Sequence, residues 1–324
     1  MRTFLLALLA TTLAGAFSER AQAQAYPNKP IRWIVPYTGG GITDVVTRVV
    51  TQKMSGPLGQ SIVVDNRPGA NSILGSDLAA KSPADGYTML TVIAGYAANV
   101  TLYQGKLPFD PRKDLVPVSL AGIAPLIMTA NNNLPAKDAK ELIALGKAKG
   151  GEAVPWGSAG PGTISHLAGE LFVSVSGVQF LHVPYKGAGP ALTGLLSGET
   201  QFAFLSPVTA HVQLQAKKVK AFTVTSLQRF PGTPDIPSAT EAGVPGLDAL
   251  LWFGIMAPAK TPQAIVMKLN REINDSFNRP DVKEALLKLG AIAAPGTPDE
   301  MRAFIKNELV KWTPVIKAAG ITAQ

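Results

Sequence analysis

Residues 31–54 read IRWIVPYTGGGITDVVTRVVTQKM, and this stretch sets the pattern of the whole chain. Residues 31–35 form a short β-prone run, and three glycines follow at 39–41. Between positions 45 and 54 the apolar residues then recur at the spacing of an α-helix. This order of strand, loop and helix is the repeating unit of an α/β fold.

The same alternation continues along the chain. It predicts strands at 61–65 and 87–93, a helix at 72–81 and an apolar extended run at 118–130. A second series follows, with strands at 153–157, 180–183, 202–205 and 222–225 and helices at 135–147, 163–175, 188–197 and 208–216. A strand at 251–257 and three helices, the last at 298–318, complete the pattern. Such βαβ units favour mostly parallel sheets.

The two series of elements predict two lobes. At 324 residues the chain exceeds the size that one core usually serves. The C-terminal helices need a sheet to cover, and the first series has few helices of its own. We therefore expect a discontinuous first lobe, 26–125 plus 250–324, around an inserted second lobe, 126–249. The two chain crossings would form a hinge beside a central cleft.

The first 25 residues have the pattern of a secretory signal peptide. A basic start precedes an apolar run at 4–13 that is too short to span a bilayer, and small-x-small motifs end at residues 23 and 25. The sequence contains no cysteine, which excludes a lipid-anchored cysteine, disulfides and thiolate chemistry. We therefore expect a periplasmic protein, exported through the inner membrane, with its signal cleaved and without a lipid anchor.

The charge balance is basic. Lysine and arginine outnumber aspartate and glutamate by 30 to 22, for a net charge of +8. This balance is typical of proteins that attract anionic ligands or surfaces, and equally of proteins whose charge serves solubility. Nucleic-acid binding is disfavoured by export and by the lack of a dense run of basic residues.

The loop at 36–44 is the most informative local feature, because it joins the first strand to the first helix. Glycines allow a ligand close to the backbone, and the unpaired N–H groups at a helix start attract anions. The loop is neither a dinucleotide fingerprint, whose last glycine is replaced by Asp44, nor a P-loop, whose Gly-Lys-Ser/Thr is absent. The alternative is a flexible turn with a helix cap. The candidate ligand residues are Tyr37, Thr38, Gly39, Gly40, Gly41 and Asp44.

A second strand-to-helix loop, at 156–166, offers hydroxyl groups and glycines in the same way. It resembles a nucleophile elbow, but G-x-S-x-G fails because Trp156 occupies the first glycine position. A third loop, after the strand at 180–183, presents a hydroxyl and a cation to an anion. The candidate ligand residues of these two loops are Ser158, Ala159, Gly160, Gly162, Thr163, His166, Tyr185 and Lys186.

No sequence pattern for catalysis, a cofactor or a metal stands out. The histidines at 166, 182 and 211 are not three or four residues apart, and no carboxylate pattern completes a metal site. A periplasmic hydrolase, the remote alternative, needs an activated nucleophile, and the sequence offers no credible one. We therefore expect a protein that is not an enzyme and that needs no cofactor or metal.

Several short motifs along the chain are specific together because of their order and spacing. They are Tyr26-Pro27-Asn28-Lys29-Pro30-Ile31, Val35-Pro36 with Gly39-Gly40-Gly41 and Asp44, Asn66-Arg67-Pro68-Gly69-Ala70, Pro83-Ala84-Asp85-Gly86-Tyr87, Ser158-Ala159-Gly160 with Gly162 and His166, Val183-Pro184-Tyr185-Lys186-Gly187, Pro234-Asp235-Ile236-Pro237, Glu241-Ala242-Gly243, Trp252, Ala257-Pro258 and Lys311-Trp312. In these motifs the chain resembles the Bug-type extracytoplasmic solute-binding proteins, the receptors of tripartite tricarboxylate transporters.

The resemblance implies a two-lobed type II periplasmic-binding-protein fold. It also implies a small carboxylate ligand, held largely by backbone N–H groups and waters in two facing loops, here 38–41 and 158–163. The partners it implies are the membrane permease subunits of a tripartite tricarboxylate-type transporter or, in an alternative signalling role, a membrane sensor kinase. A monomer is the natural state of a receptor that closes on its ligand.

Two departures from the family pattern narrow the ligand class. Tyr37 and Thr38 stand where the family usually has proline. The strand at 201–206 lacks the usual acidic residue, and Ser206 lies near the position of a further Asp or Asn, which makes it the last candidate ligand residue. Fewer acidic groups disfavour an ammonium group. We therefore expect a dicarboxylate or an aromatic acid rather than an amino acid.

Overall fold

The computed structural model describes residues 26–149 and 154–322. The predicted signal peptide at 1–25 lies outside the described residues. Within the two described ranges, no helix is both long enough and apolar enough to cross a membrane.

Strands and helices alternate along most of the described chain. The strands are β1 (Ile31–Val35), β2 (Ile62–Asn66), β3 (Thr88–Val92), β4 (Leu115–Pro125), β5 (Ile127–Asn131), β6 (Trp156–Ser158), β7 (His182–Pro184), β8 (Phe202–Leu205), β9 (Val219–Val224), β10 (Leu250–Pro258) and β11 (Ile292–Ala293). The helices are α1 (Ile42–Leu58), α2 (Ile73–Ala80), α3 (Ala94–Leu102), α4 (Ala139–Lys149), α5 (Ile164–Ser176), α6 (Ala188–Ser197), α7 (Pro207–Gln215), α8 (Gln263–Asn278), α9 (Pro280–Lys288) and α10 (Pro298–Ala318).

Two mixed sheets form the centres of the two lobes. The first has the strand order β11-β4-β10-β3-β1-β2, and the second has the order β7-β6-β8-β5-β9. β1 runs parallel to β2 and β3, and β6 runs parallel to β7 and β8. β10 is antiparallel to both of its neighbours, as is β5. The expectation of mostly parallel sheets is therefore wrong, because the strands at the chain crossings enter each sheet from the opposite direction.

The first βα unit forms as its sequence pattern predicts. In α1 the buried side chains of Val46, Val50 and Met54 lie on one face and join the core that also contains Trp33 and Val35 of β1. The helix ends at Gly59, whose φ of +65° is the left-handed conformation that commonly closes a helix. The strand before this turn and the helix after it are thus anchored in the same core.

Helix α3 is an element that the sequence pattern did not predict. Of its nine residues, Ala94, Tyr96, Ala97 and Ala98 are buried, so the helix has no broad polar face. A helix covered on most sides loses the period of 3.6 residues that distinguishes it from an extended segment. The described structure also shows that α4 begins at Ala139 rather than at the predicted residue 135.

The chain changes from one sheet to the other between Pro125 and Ile127, and changes back between Val224 and Leu250. The two crossings are neighbours, since Leu250 pairs with Pro125. Buried Thr225 joins them: its hydroxyl accepts the Leu126 N–H at 2.8 Å and donates to the Ala249 carbonyl at 2.5 Å. The lobe boundaries after residues 125 and 249 stay a prediction.

Helix α10 packs against both lobes. Its first turns place Met301, with Phe304 beside it, in the core of the first lobe, whereas Trp312 and Ile316 belong to the core cluster of the second lobe. Thr297 caps the helix, accepting the Glu300 N–H at 3.2 Å, and Pro298 occupies the first turn. The helix therefore bridges the lobes.

A buried carboxylate holds this bridging helix to the second chain crossing. Glu308 is 3% exposed, and its Oε2 accepts the indole N–H of Trp252 at 2.8 Å and that of Trp312 at 2.9 Å. Its Oε1 lies 2.8 Å from Lys311 Nζ, which also reaches Asp248. Trp252 is 0% exposed, so it packs in the core rather than lining the cleft.

We expect Glu308→Leu to lower the free energy of unfolding by about 3 kcal/mol, because it leaves two buried indole N–H groups without an acceptor and removes one of the two carboxylates near Lys311. Glu308→Gln keeps an acceptor for the indoles and should lose less. Urea unfolding followed by circular dichroism measures both. The control is Glu284→Gln, which removes an exposed carboxylate paired with Lys288 and should leave the midpoint unchanged. Equal midpoints for all four proteins would contradict a structural role of Glu308.

Candidate ligand-binding cleft

A glycine-rich loop at residues 36–41 joins β1 to the start of α1. Gly40 has a φ of +81°, a left-handed conformation that favours glycine. Gly39, Gly40 and Gly41 are exposed, and the backbone N–H groups of Thr38, Gly39 and Gly41 donate to no acceptor in the described chain. These donors lie at the positive end of the dipole of a 17-residue helix, an arrangement that attracts anions.

Asp44 holds this loop in place. Its side chain is 5% exposed and accepts hydrogen bonds from the Gly40 N–H at 2.9 Å, from Arg48 Nε at 3.0 Å and from Asn66 Nδ2 at 3.0 Å. Burial alone would raise the pKa of Asp44, but these hydrogen bonds, with that from Arg48 the largest, hold the pKa below its usual range. Both carboxylate oxygens accept donors inside the protein. These hydrogen bonds position the loop, and a direct contact of Asp44 with a ligand stays a prediction.

A second loop of the first lobe lies at the same sheet edge, and the sequence reasoning missed it as a site. Ala70, Asn71 and Ser72 have φ values of +46°, +47° and +76°, a strained backbone for residues with a Cβ. Asn71 Nδ2 donates to Asn99 Oδ1 at 3.0 Å, and Asn99 Nδ2 donates to the Asn71 carbonyl at 2.7 Å. This loop follows β2 as the glycine loop follows β1, and the two strands are parallel. Both loops therefore lie at the carboxyl edge of the sheet, and this shared position could have identified the loop at 70–72 as part of a site.

Two buried hydroxyl groups lie at this edge. Tyr37 Oη and Ser72 Oγ are neighbours, and neither forms a hydrogen bond of good geometry with another described residue. Burial raises the pKa of Tyr37, and the nearby Ser72 hydroxyl offsets only part of that rise, so Tyr37 is a neutral phenol near pH 7. Buried polar groups usually have a partner, so these two hydroxyls are available to a ligand or water that reaches this edge.

In the second lobe, the loop at 158–163 follows β6, and the N–H groups of its glycines donate to nearby side chains. The Gly160 N–H donates to Ser158 Oγ at 3.1 Å, and the Gly162 N–H donates to His166 Nδ1 at 3.1 Å. Thr163 Oγ1 donates to the Gly160 carbonyl at 2.7 Å. The expectation that these glycines expose N–H groups is therefore wrong, because the side chains of Ser158, in the loop, and His166, in α5, accept them.

The unpaired donors of the second lobe lie one step further along the chain, at the start of α5. The N–H groups of Ile164 and Ser165 donate to no acceptor in the described residues, whereas the Ala159 N–H donates to Ser165 Oγ at 3.0 Å. The Ile164 side chain packs against the cores of both lobes. The start of α5 therefore lies at the junction of the lobes.

The two lobes meet at Gly162. Asn71 Nδ2, from the strained loop of the first lobe, lies 3.4 Å from the Gly162 carbonyl oxygen. Gly162 has a φ of +71°, and a Cβ added here would overlap the side chain of Leu102. Glycine is favoured at this conformation, and a side chain here would require Leu102 to move.

A stack of rings supports the loop of the second lobe from within. The ring of His182 lies 4.3 Å from that of Trp156 and 4.1 Å from that of His166, measured between centroids. His182 Nε2 is 2.7 Å from Ser158 Oγ. Burial, and secondarily the proximity of His166, lowers the pKa of His182 to about 3. His182 is therefore neutral at pH 7 and able to accept the Ser158 hydroxyl.

The same cluster contains groups that other proteins use for metal binding or catalysis. One ligand atom from each of His166, Glu170 and His182 lies within 4.8 Å of the others. Because the Gly162 N–H donates to Nδ1 of His166, the ring proton is on Nε2, which faces Glu170 Oε1 at 3.4 Å. Ser158 is 1% exposed, which keeps its hydroxyl away from any substrate. The geometry fits a hydrogen-bonded stack better than a metal centre or a nucleophile. The sequence did not predict this cluster, because His182 lies on β7 and is 16 residues from His166 along the chain.

The third predicted loop is joined to the second, since the Tyr185 N–H donates to the Ser158 carbonyl at 3.0 Å. The Tyr185 hydroxyl is buried against Gly194 of α6, and a contact of Tyr185 with a ligand stays a prediction. Lys186 is exposed and forms no ion pair with a described residue. Ser206, at the start of α7, is half-buried with its Oγ 2.9 Å from Thr209 Oγ1.

The family model described as tripartite tricarboxylate transporter family receptor matches residues 46–321. Among curated relatives, the protein BugT of Bordetella pertussis is 36% identical, with 98% of each chain covered. A UPF0065 protein from the tcbD-tcbE intergenic region of Pseudomonas sp. strain P51 is 37% identical, covering 97% of this chain and 94% of the relative.

Solved structures of similar proteins share the two-lobed fold. The periplasmic binding protein BugD is 32% identical with a TM-score of 0.81, covering 92% of this chain and 100% of BugD. A Rhodopseudomonas palustris protein with adipate is 31% identical with a TM-score of 0.84, over 92% and 99% of the two chains. MatC from Rhodopseudomonas palustris with bound malate is 32% identical with a TM-score of 0.79, over 90% and 100%.

The neutral state of His182 predicts a pH dependence of stability. Between pH 6.5 and about 3 the unfolded chain binds a proton that folded His182 does not, so its contribution to stability is lost as pH falls through this window. We expect His182→Gln, which keeps an acceptor for Ser158 but does not titrate, to lose less stability on acidification. Urea midpoints at pH 7.5 and pH 5 measure the difference. His211→Gln, at an exposed position, is the control. If the urea midpoint changes equally with pH in the wild type and in His182→Gln, the result would contradict the assignment of a neutral His182.

Proposed function

The chain belongs to the tripartite tricarboxylate transporter receptor family of periplasmic solute-binding proteins, and we propose that it captures a small dicarboxylate between its two lobes. The proposal includes delivery of the ligand to the membrane subunits of a tripartite transporter. It also includes export with cleavage of the N-terminal signal and a monomeric state.

The observation that carries this proposal is a pair of helix starts with free donors, one in each lobe, of which that of α5 lies at the junction of the lobes. The N–H groups of Gly39 and Gly41 at α1 and those of Ile164 and Ser165 at α5 have no acceptor in the described residues. Each helix start carries partial positive charge and favours an anion. A dicarboxylate offers one carboxylate to each lobe, so a single molecule would hold both lobes together.

The chemistry of the candidate residues supports a ligand without an amine. Asp44 is the only acidic residue among the candidates, and its oxygens are occupied by Arg48, Asn66 and Gly40. An ammonium group would therefore lack a carboxylate partner. The structural relatives with adipate and with malate, 31% and 32% identical, hold dicarboxylates of this kind. An aromatic acid, with a single carboxylate, is the second ligand class.

The Ser158–His182 pair is the observation that favours a second candidate function, a hydrolase. The 2.7 Å separation is that of a hydrogen-bonded serine and base. The 1% exposure of Ser158 argues against it, because a nucleophile must reach its substrate. Turnover of a nitrophenyl ester that disappears in Ser158→Ala would establish a hydrolase and displace the receptor proposal.

Gly41→Val tests the helix start of the first lobe. Gly41 has a φ of −73°, which valine adopts readily, and a Cβ there makes only an ordinary contact with Thr38. The added side chain would stand between the free N–H groups and the ligand. We expect roughly tenfold weaker binding of malate and adipate, measured by calorimetry on the mature protein. Gly189→Val, at an open helical position, is the matched control.

Two results would contradict this proposal. Unchanged affinity in Gly41→Val, with the control also unchanged, would remove the first helix start from the site. Tight binding of aspartate or glutamate, with no binding of malate, adipate or benzoate, would show that the cleft selects amino acids.

A further inference from the structure

A groove in the first lobe has no part in the proposed capture of ligand. Two adjoining cavities of about 810 and 600 Å³ form it, between α3, α10 and the loop at 103–114. The cavities share Val100, Pro111, Arg112, Leu309 and Thr313. None of the candidate ligand residues lines either cavity. The groove is therefore a separate site.

The α10 side of the groove is apolar and open to solvent. Ile305, Leu309 and Val310 line it, and Val310 is 69% exposed, the largest fraction among the exposed large apolar side chains of the described residues. Leu309 and Ile305 also contact the core of the first lobe, so they are held in position. A rigid apolar strip beside charged residues is typical of a protein interaction site.

The rim of the groove is basic. Three exposed cations on it form no ion pair with a described residue: Arg112, Lys306 and Lys317. The two cavities are lined by two acidic residues, Asp110, which pairs with Lys113 at 3.4 Å, and Asp114, against five basic residues, Arg112, Lys113, Arg302, Lys306 and Lys317. The rim thus presents a net positive charge.

The groove is also linked to the relation between the lobes, because α10 bridges them. Thr313, which lines both cavities, lies with its Oγ1 3.0 Å from Thr101 Oγ1 of α3. The preceding residue, Trp312, belongs to the core of the second lobe. A molecule bound in the groove would therefore contact α10, the helix that packs against both lobes.

We propose that this groove docks an acidic amphipathic segment of a membrane-bound partner. Its apolar side would lie on Leu309 and Val310, and its carboxylates would pair with Arg112, Lys306 and Lys317. The inference rests on the proposed function, which requires a membrane protein to take over the ligand. A second copy of this chain is a poor occupant, because a protein of net charge +8 would bring positive charge to a positive rim.

The test uses the mature protein and a fluorescein-labelled amphipathic helical peptide with glutamates on one face and leucines on the other. Anisotropy should show binding that weakens with salt. The variant Arg112→Gln/Lys306→Gln/Lys317→Gln should bind roughly tenfold more weakly. The control Lys147→Gln/Lys260→Gln/Lys283→Gln, which removes the same charge at exposed positions elsewhere, should bind like wild type. Val310→Ser should weaken binding without changing any charge.

Three results would overturn the proposal. They are equal peptide affinity in the two triple variants, no preference over a peptide with lysines in place of glutamates, and a dimer in sedimentation that Val310→Ser abolishes.

Calorimetry with malate and adipate separates this proposal from the proposed capture of a dicarboxylate. Groove variants should retain ligand affinity, whereas a wild-type protein that binds the peptide but no acid would count against the proposed ligand alone.

Discussion

The buried carboxylate of Glu308 is the interaction on which the relation between the two lobes depends. It accepts the indole N–H groups of Trp252, from the second chain crossing, and of Trp312, from the part of α10 that packs in the second lobe. A buried carboxylate that loses its donors is strongly destabilising, so these side chains cannot rearrange one at a time. The hydroxyl of Thr225 joins the two crossings close by. We expect the predicted hinge between the two lobes to lie at these crossings.

Much of the fold could be predicted from the sequence, because burial on one face leaves a periodic pattern. The unit from β1 to α1 and the helices at 188–197 and 298–318 lie close to their predicted positions. Elements buried on most sides carry no such pattern, and α3 was missed for that reason. The antiparallel direction of β10 follows from the path of the chain across the lobes, which no local property of residues 250–258 records.

The candidate site shows where sequence reasoning stops. Glycines at the start of α1 predicted free N–H groups, and those of Gly39 and Gly41 are free. The same reasoning failed at Gly160, because whether a donor is free depends on acceptors such as Ser158 Oγ, whose rotamer the sequence does not specify. The pairing of Ser158 with His182 spans 24 residues and arises from the register of two parallel strands. Contacts between strands and between lobes are tertiary properties, so the direct ligand role of every candidate residue stays a prediction.

The position of β10 has a consequence for how the chain folds during synthesis. β10 lies between β3 and β4, so the first sheet has a gap until residue 258 has been made. All five strands of the second sheet precede it and can pair earlier. Until then β3 and β4 are unpaired edges, which invite aggregation or chaperone binding. Pairing between strands so distant in sequence is also slow. The long segment between β4 and β10 therefore delays completion of the first sheet, and we expect a chain interrupted before residue 250 to remain a substrate for proteases.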